Sequence, residues 1–256
     1  MSDLFNLSGK VAVAIGGNSV LGGAIAKGFA EHGAKVAIVG RDLEKAELIV
    51  KEIIASGGDA KAFQADVSDL KTVEQVAEEI EDWSGGWDII LNAPGQNSAT
   101  PFMELEPDEW DSIMDVNLRG LVFSTQIFAK RMINQKRKGS IINISSVSST
   151  TPLSKVFTYS ASKAGVNNIT QFLAKEFAAN GIRVNAIIPG FFPAEQNRKI
   201  LSEDRVNSIM NHTPLNRFGV PEELKGAAIY LASDKASGFV TGTFLRVDGG
   251  FGSMTI

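Results

Sequence analysis

Short apolar runs alternate with longer amphipathic segments along the whole chain of 256 residues. Several runs are apolar at consecutive positions, which is typical of parallel strands buried on both faces of a sheet. The runs predict strands at Val11–Ile15, Val36–Val39, Lys61–Ala65, Ile89–Leu91, Ile141–Ile144, Val184–Ile188 and Phe244–Val247. The amphipathic segments predict helices over residues 20–32, 42–56, 69–82, 108–136, 158–180 and 221–232.

The predicted helices are bounded by residues that suit helix ends. Gly33 and Gly181 follow predicted helices, where glycine readily adopts the left-handed conformation. Asp42 and Asp69 precede predicted helices, where a carboxylate can cap the first turn. Strands and helices alternate throughout, without a linker or repeat. This pattern predicts one α/β domain over residues 1–256, with a single doubly wound, Rossmann-type parallel sheet of about seven strands flanked by helices.

Residues 189–213 form the least regular stretch, between a predicted strand and the last predicted helix. A loop of that length in a compact domain usually has a functional role. We therefore interpret residues 189–213 as a substrate loop.

Composition excludes several classes of function. The formal net charge is -4, so the chain has no general attraction to nucleic acid or anionic membranes, and neither partner is predicted. There is no cysteine, and the two histidines, His32 and His212, lie in no ligand-spaced motif, so no metal is predicted. No apolar run approaches the length of a membrane span, and the first residues do not resemble a signal peptide. We expect a cytoplasmic protein.

Two groups of residues could carry chemistry. The glycine-rich turn Ile15–Gly23 lies between a strand and a helix, where glycines and helix N–H groups suit a pyrophosphate; the alternative is a turn without a ligand. Tyr159 and Lys163 share one helix face, and a neighbouring ammonium lowers the pKa of a phenol. Ser146 follows a strand at the ligand-binding edge of the sheet, and Asn117 is a polar residue between apolar neighbours.

Together with other motifs, these residues resemble the short-chain dehydrogenase/reductase family over nearly the whole chain. The glycine turn of that family has a counterpart in Ile15–Gly22, and its Asn-Asn-Ala-Gly turn has one in Asn92–Gly95. Asp66 and Val67 match the Asp-Val after the third strand, and Pro189 and Gly190 match the Pro-Gly after the sixth. Val247–Gly250 matches the carboxyl-terminal signature. The resemblance implies an NAD(P)-dependent oxidoreductase that acts on CH–OH groups.

The catalytic Asn, Ser, Tyr and Lys of the family correspond to Asn117, Ser146, Tyr159 and Lys163. The resemblance implies that Tyr159 exchanges a proton with the substrate oxygen and that Ser146 holds the same oxygen. Lys163 would lower the pKa of Tyr159 and bind the nicotinamide ribose. Asn117 would hold a water that links Lys163 to solvent. The cofactor itself carries the hydride chemistry.

The resemblance also implies a set of cofactor-binding residues. They are Gly16, Asn18, Ser19, Leu21, Gly22, Arg41, Asp66, Val67, Asn92, Ala93, Gly95, Tyr159, Lys163, Pro189 and Gly190. NAD-selective relatives usually carry an acid where Gly40 stands, whereas Arg41 could pair with a 2′-phosphate. We therefore predict NADP as the preferred cofactor, with NAD as the alternative if Arg41 is only solvated and Asp42 only caps the helix.

Two positions depart from the family pattern. Val20 replaces the middle glycine of the turn, which adds a side chain beside the expected pyrophosphate path and predicts a small displacement of the turn. Ala194 stands where the family often has a threonine near the nicotinamide. Neither change touches the four catalytic positions, so the enzyme interpretation stands.

A small-molecule substrate is expected to contact Gln96, Ser148, Lys155, Gln196 and Arg198. Amides suit a polyhydroxylated chain, and Arg or Lys suits a carboxylate; the alternative is that Arg198 and Lys199 are solvated loop charges. Residues 189–199 and 214–224 are similar to sugar-acid members of the family, of the D-mannonate oxidoreductase and gluconate 5-dehydrogenase kind. We predict a sugar acid or a similar polyol as substrate.

Three other functions are alternatives to this one. A 3-oxoacyl thioester reductase needs a basic surface for its carrier protein, and the acidic composition offers no obvious one. A non-catalytic nucleotide sensor or scaffold would not need Tyr159 and Lys163 together, and a purely structural interaction protein leaves the glycine turn unexplained.

Assembly is a further expectation from the resemblance. Relatives commonly form tetramers through the helices predicted at residues 108–136 and 158–180 and through the last strand. The apolar candidates for such faces are Phe123, Ile127, Phe172 and Phe177, although each suits core packing equally well. We predict a homotetramer.

Overall fold

The computed structural model describes residues 3–151, 153–193 and 202–253. Ala194, Gln196 and Arg198, which were singled out above, lie outside the described residues. The strands are β1 (Val11–Ile15), β2 (Lys35–Gly40), β3 (Asp59–Gln64), β4 (Ile89–Asn92), β5 (Gly139–Ile144), β6 (Ile182–Pro189) and β7 (Phe244–Val247). Each predicted strand is present; β1 and β7 have the predicted ends, and the ends of the others shift by at most two residues.

All seven strands pair in parallel, in the order β3-β2-β1-β4-β5-β6-β7. Chain order therefore reverses between β1 and β4. Open sheets of this kind bind ligands outside the carboxyl ends of the strands at the point of reversal. The predicted doubly wound α/β fold is confirmed, and it places the candidate site above the ends of β1 and β4.

Helices cover both faces of the sheet. They are α1 (Val20–Glu31), α2 (Leu43–Ala55), α3 (Leu70–Ser84), α4 (Pro107–Met114), α5 (Leu121–Asn134), α6 (Phe157–Phe177), α7 (Glu203–Asn211), α8 (Glu223–Ala232) and α9 (Asp234–Ser237). The carboxylates of Asp42 and Asp69 cap α2 and α3 as predicted, each accepting a backbone N–H at 3.1 Å. Among the described residues, no helix combines the length and apolar character that crossing a membrane requires.

The core lies in two layers because successive side chains of a strand point to opposite faces. Ala12 and Ala14 of β1 belong to the layer that contains Phe29 of α1. Val13, between them, belongs to the opposite layer with Trp87. Small residues in β1 on one face let α1 approach the sheet closely, and this brings the start of α1 over the end of β1.

Two elements differ from the prediction. The single helix expected at residues 108–136 is α4 and α5 separated by a π-helical segment, Asp115–Gly120. At its end Gly120 lies against Val67, where a Cβ would come within 2.8 Å of the valine side chain, so only glycine fits this packing. The loop expected at residues 189–213 contains α7, whose only buried residue is Ile209. One buried residue leaves too weak an apolar periodicity to signal a helix.

Candidate active site

A cleft of about 820 Å³ opens at the carboxyl edge of the sheet. It is lined by Leu21, Gly95, Gln96, Asn97, Ala99, Ser146, Val147, Ser148, Leu153, Ser154, Lys155, Val156, Tyr159, Gly190, Phe191, Phe192, Pro193, Ser202, Arg205 and Ile209. The lining combines the ends of several strands with α6 and α7. The fold thus brings together residues that are far apart in sequence.

The glycine turn after β1 is built for a close backbone approach. Gly16 has a φ of +77°, and a Cβ there would lie 2.6 Å from the carbonyl carbon of Ala93. A Cβ on Gly22 would lie 2.3 Å from the carbonyl oxygen of Gly16. Only glycine fits either position, because L side chains meet backbone in both places.

The start of α1 presents free donors. Ser19 caps the helix by accepting the Gly22 N–H at 3.1 Å. Within the described part of the chain, the N–H groups of Val20 and Leu21 make no hydrogen bond. Free N–H groups at a helix N-terminus suit a phosphate, so this turn fits the pyrophosphate of a dinucleotide.

Val20 does not crowd this turn. Its side chain is 51% exposed at the first position of α1, and the cap by Ser19 is formed. The displacement expected from replacing the middle glycine is therefore not needed to accommodate valine.

The end of β2 shows a feature that sequence reasoning missed. The Asn18 amide donates to the carbonyl oxygen of Asp42 at 3.3 Å and lies directly over Gly40. A Cβ on Gly40 would lie 2.2 Å from the Asn18 Cγ, so an acidic side chain cannot stand there without moving Asn18. Arg41 is 64% exposed and lies 3.8 Å from the Asp66 carboxylate, so these two predicted residues do come together.

Tyr159 and Ser146 both line the cleft, Tyr159 from the first turns of α6 and Ser146 just after β5. Burial raises the pKa of Tyr159, and a hydrogen bond with Ser146 opposes that rise in part. The expected lowering of this pKa by Lys163 is not what the structure shows. The ammonium lies 5.7 Å from the centre of the phenol ring, and desolvation of a buried phenolate prevails.

Lys163 is buried beneath the cleft. Its ammonium donates to the carbonyl oxygens of Ile144 at 2.9 Å and Pro94 at 3.4 Å. Burial lowers the pKa of Lys163 to about 8. The side chain therefore remains mainly protonated at neutral pH and is held between the ends of β4 and β5.

Asn117 lies in the π-helical segment, fully buried. Its side-chain oxygen accepts the backbone N–H of Gln96 at 2.7 Å, and its amide group donates to the Gln96 carbonyl oxygen at 2.8 Å. The same amide group donates to the Ser162 hydroxyl at 3.1 Å. The side chain thus clamps the Gln96 segment, a role that the resemblance did not imply.

The remaining predicted cofactor residues fall into two groups. Gly95 and Gly190 line the cleft, and Pro189 immediately precedes Gly190 at the end of β6. Asn92, in contrast, is fully buried and donates to Thr125 at 2.9 Å and Asn143 at 2.8 Å. Its side chain is thus directed into the layer between sheet and helices, where it ties β4 to its neighbours.

Val67 and Ala93 complete that set. Val67 is buried against Gly120, and the N–H of Ala93 donates to the Ile15 carbonyl oxygen at 2.8 Å. Neither residue lines the cleft: Val67 packs against the π-helical segment, and Ala93 lies against the glycine turn after β1.

Three predicted substrate residues line the cleft. The Gln96 side chain donates to the Ser112 hydroxyl at 2.8 Å, and the Ser148 hydroxyl donates to the Ser146 hydroxyl at 3.1 Å. Lys155 is exposed and has a φ of +65°, an unusual backbone conformation for a residue with a side chain. Such strain tends to occur at functional sites.

Arg205 is a cleft residue that sequence reasoning missed. It lies in the first turn of α7, half-buried, and donates to the Ser154 hydroxyl at 2.8 Å. Ser202 caps α7 and is followed by the acidic residues Glu203 and Asp204, a pattern typical of a helix start. That pattern was the available signal for α7 and hence for Arg205.

Comparison with known proteins agrees with this geometry. A family model described as enoyl-(acyl carrier protein) reductase matches residues 16–252. The uncharacterized oxidoreductase UxuB of Bacillus subtilis is 43% identical over an alignment of 267 positions, gaps included, which covers 96% of each chain.

Two solved structures superpose closely. One is a putative D-mannonate oxidoreductase from Haemophilus influenza with bound NAD, at 37% identity and a TM-score of 0.93, covering 98% of this chain and 97% of the other. The other is a gluconate 5-dehydrogenase from Burkholderia cenocepacia in complex with NADP and tartrate, at 36% identity and a TM-score of 0.93, covering 99% of each chain.

Proposed function

This chain belongs to the short-chain dehydrogenase/reductase family, whose members act on CH–OH groups, and we propose that it interconverts a secondary alcohol and a ketone on a sugar acid or similar polyol, with NADP as the preferred cofactor. The observation that carries this proposal is that the cleft, beside its apolar part, offers amides, hydroxyls and two cationic side chains, and that its described lining contains no Asp or Glu. The glycine turn after β1 and the position of Tyr159 support an NAD(P)-dependent oxidoreductase. The cleft lining supports a sugar acid or polyol as its substrate.

Residues above the ends of β1 and β2 are suited to hold the dinucleotide. The free N–H groups of Val20 and Leu21 would bind its pyrophosphate. Arg41 is free enough to pair with a 2′-phosphate, and Asn18 over Gly40 excludes the acid that would repel one. When bound, the cofactor supplies or accepts the hydride. Both NADP and NAD are bound by related structures, and this local chemistry favours NADP.

Tyr159 is suited to be the proton donor. Because its pKa is raised, the phenol is protonated at neutral pH and can donate to a carbonyl oxygen in the cleft. The Ser146 hydroxyl lies within reach of the same oxygen. Lys163 contributes a buried positive charge beside the tyrosine and becomes easier to deprotonate through burial. Asn117 positions the Gln96 segment on the facing wall.

The cleft lining favours a polar, anionic substrate. Gln96 and Asn97 offer amides, and Ser146, Ser148 and Ser154 offer hydroxyls, which suit a polyhydroxylated chain. No Asp or Glu is among the described lining residues, whereas Lys155 and Arg205 are. A cleft with positive charges in a chain of net charge -4 attracts anions. Lys155 is the sequence-based candidate for the carboxylate that lies here; Arg198, the other, falls outside the described residues.

Assembly is part of the proposal. Phe172 of α6 is largely exposed and Phe123 of α5 is partly exposed, so both are available to an interface. Ile127 and Phe177 instead pack against the core and are poor interface candidates. We propose a homotetramer that uses the exposed faces of α5 and α6.

The rival function is reduction of a 3-oxoacyl thioester. It is tested because the matching family model is described by an enzyme that acts on acyl carrier protein substrates. The test is an assay of nicotinamide absorbance with 5-keto-D-gluconate, D-fructuronate, their neutral ketose counterparts and acetoacetyl-coenzyme A. We expect reduction of at least one keto acid with kcat/KM at least about tenfold above that for the thioester.

Tyr159→Phe provides the control for this assay. It removes only the hydroxyl, so we expect turnover to fall by at least about a hundredfold while NADPH binds within about threefold of the wild type. A wild type that reduces the thioester and ignores every keto acid would reject the substrate class. A Tyr159→Phe variant with near-normal turnover would reject the proton donor.

A further inference from the structure

We propose that Arg205 binds the carboxylate of the acid substrate and thereby selects acids over neutral ketoses. This inference rests on the proposed sugar-acid function and goes beyond it by naming the subsite. Among the described residues, Arg205 replaces Lys155 as the principal carboxylate ligand.

The first argument is placement. Arg205 and Ile209 lie one helical turn apart on α7, and both line the cleft. Ile209 is buried, so it anchors this face of α7 toward the cleft. Arg205 is held over the cleft by the same packing and is not a freely solvated loop charge.

The second argument is charge. Among the described residues, the other arginines that are buried or half-buried each have a carboxylate within 4.0 Å, as Arg131 has Glu81 and Arg183 has Asp234. Arg205 has no such partner in the described ranges, and its one hydrogen bond there is to the neutral Ser154 hydroxyl. A guanidinium has further N–H donors in a planar fork that matches a carboxylate. An anion in the cleft would satisfy them.

The third argument separates Arg205 from Lys155. Lys155 is exposed, so water screens its attraction to an anion. Arg205 is half-buried, and it can also bind a carboxylate through two parallel hydrogen bonds, which an ammonium cannot. Lys155 therefore adds long-range attraction, while Arg205 makes the specific contact.

The position of Ser154 links this contact to the chemistry. Ser154 accepts from Arg205 and lies on the short segment that leads into α6 and Tyr159. One segment thus orients both the guanidinium and the proton donor. A substrate held by its carboxylate at Arg205 would extend along the same cleft toward the Tyr159 phenol.

The experiment compares each keto acid with the ketose in which CH2OH replaces the carboxylate: D-fructuronate with D-fructose, and 5-keto-D-gluconate with L-sorbose. The variants are Arg205→Ala, Arg205→Gln, Arg205→Lys and Lys155→Ala. Lys51→Ala serves as the matched charge control, because Lys51 is exposed on α2 and remote from the cleft. NADPH affinity and circular dichroism report the integrity of each variant.

We expect Arg205→Ala and Arg205→Gln to raise KM for the acid about 10- to 100-fold, with less than about a threefold change for the neutral ketose. Arg205→Gln keeps a polar N–H donor but removes the positive charge, so its loss relative to Arg205→Lys reports the charge. Arg205→Lys should recover part of the loss. Lys155→Ala should change KM for the acid by less than about fivefold. Lys51→Ala should leave KM unchanged for both the acid and the neutral ketose.

Three outcomes overturn the inference, and they differ from failure of the proposed function. If the wild type reduces keto acids and Arg205→Ala leaves their KM unchanged, Arg205 is not the ligand. If Lys155→Ala causes the large loss instead, the carboxylate lies at Lys155. If Arg205→Gln raises KM equally for the keto acid and the neutral ketose, Arg205 has a structural role. A wild type that reduces no keto acid rejects the sugar-acid function itself.

Discussion

Asn117→Asp tests how the buried amide positions the cleft wall. Aspartate has the same shape, but its ionised carboxylate donates no hydrogen bond. The bond from the Gln96 N–H at 2.7 Å survives, whereas those to the Gln96 carbonyl oxygen and Ser162 hydroxyl are lost. The Ser162 hydroxyl keeps its bond to the Tyr159 carbonyl oxygen, so the Gln96 carbonyl oxygen is the group left unpaired. An unpaired buried group costs about 1–3 kcal/mol, so we expect the free energy of unfolding to fall by about that amount.

Urea unfolding at pH 8 measures this loss, and kcat/KM should fall as well, because Gln96 lines the cleft. The deficit should also depend on pH. Burial beside the Gln96 carbonyl oxygen raises the pKa of the new carboxyl group above its unfolded value. The protonated acid can donate one bond, so the deficit is full above the folded-state pKa and narrows as pH falls through it.

Asn180→Asp is the matched control. Asn180 is exposed in the short 3-10 turn after α6, so this substitution should change the free energy of unfolding by less than about 0.5 kcal/mol. A deficit below about 1 kcal/mol for Asn117→Asp at pH 8, or one that widens toward pH 5, would refute the clamp.

The remaining predictions concern the cofactor and assembly. Arg41→Ala should raise the Kd for NADPH about 3- to 30-fold and that for NADH less than about twofold, as fluorescence titration can show; equal losses would contradict a phosphate contact. Gly40→Asp alone should weaken the binding of both NADPH and NADH, because the new side chain would clash with Asn18. Combined with Asn18→Ala, it should favour NADH binding. If Gly40→Asp alone switched the preference to NADH without weakening its binding, the clash with Asn18 would be contradicted. Light scattering should show a tetramer at micromolar concentration that Phe172→Glu dissociates, and a monomeric wild type would reject the assembly.

Much of the fold could be predicted because its signals are local. A strand buried on both faces leaves a run of apolar residues, so β1 and β7 were predicted with their observed ends. A capping carboxylate acts within one turn of its helix, so Asp42 and Asp69 marked α2 and α3 correctly. The order of motifs along the chain also predicted that Ser146 would meet Tyr159 in one cleft.

The features that were missed depend on contacts between distant segments. The π-helical segment forms where Gly120 meets Val67, and no local pattern at either residue announces it. The constraint on Gly40 comes from Asn18, which reaches it only because β1 and β2 are neighbours. The direction of the Tyr159 pKa shift was wrong because desolvation depends on how deeply the fold buries the phenol.

The sequence by itself determined the strands, most helices and the parallel sheet, because propensity, periodicity and capping act over a few neighbouring residues. The resemblance to the family added most of the residues expected at the carboxyl edge. Tertiary structure alone decided which side chains meet there: Asn117 with the Gln96 backbone, Lys163 with the ends of β4 and β5, and Arg205 with Ser154. Those pairings arise only when packing brings distant segments to hydrogen-bonding distance and removes water from between them.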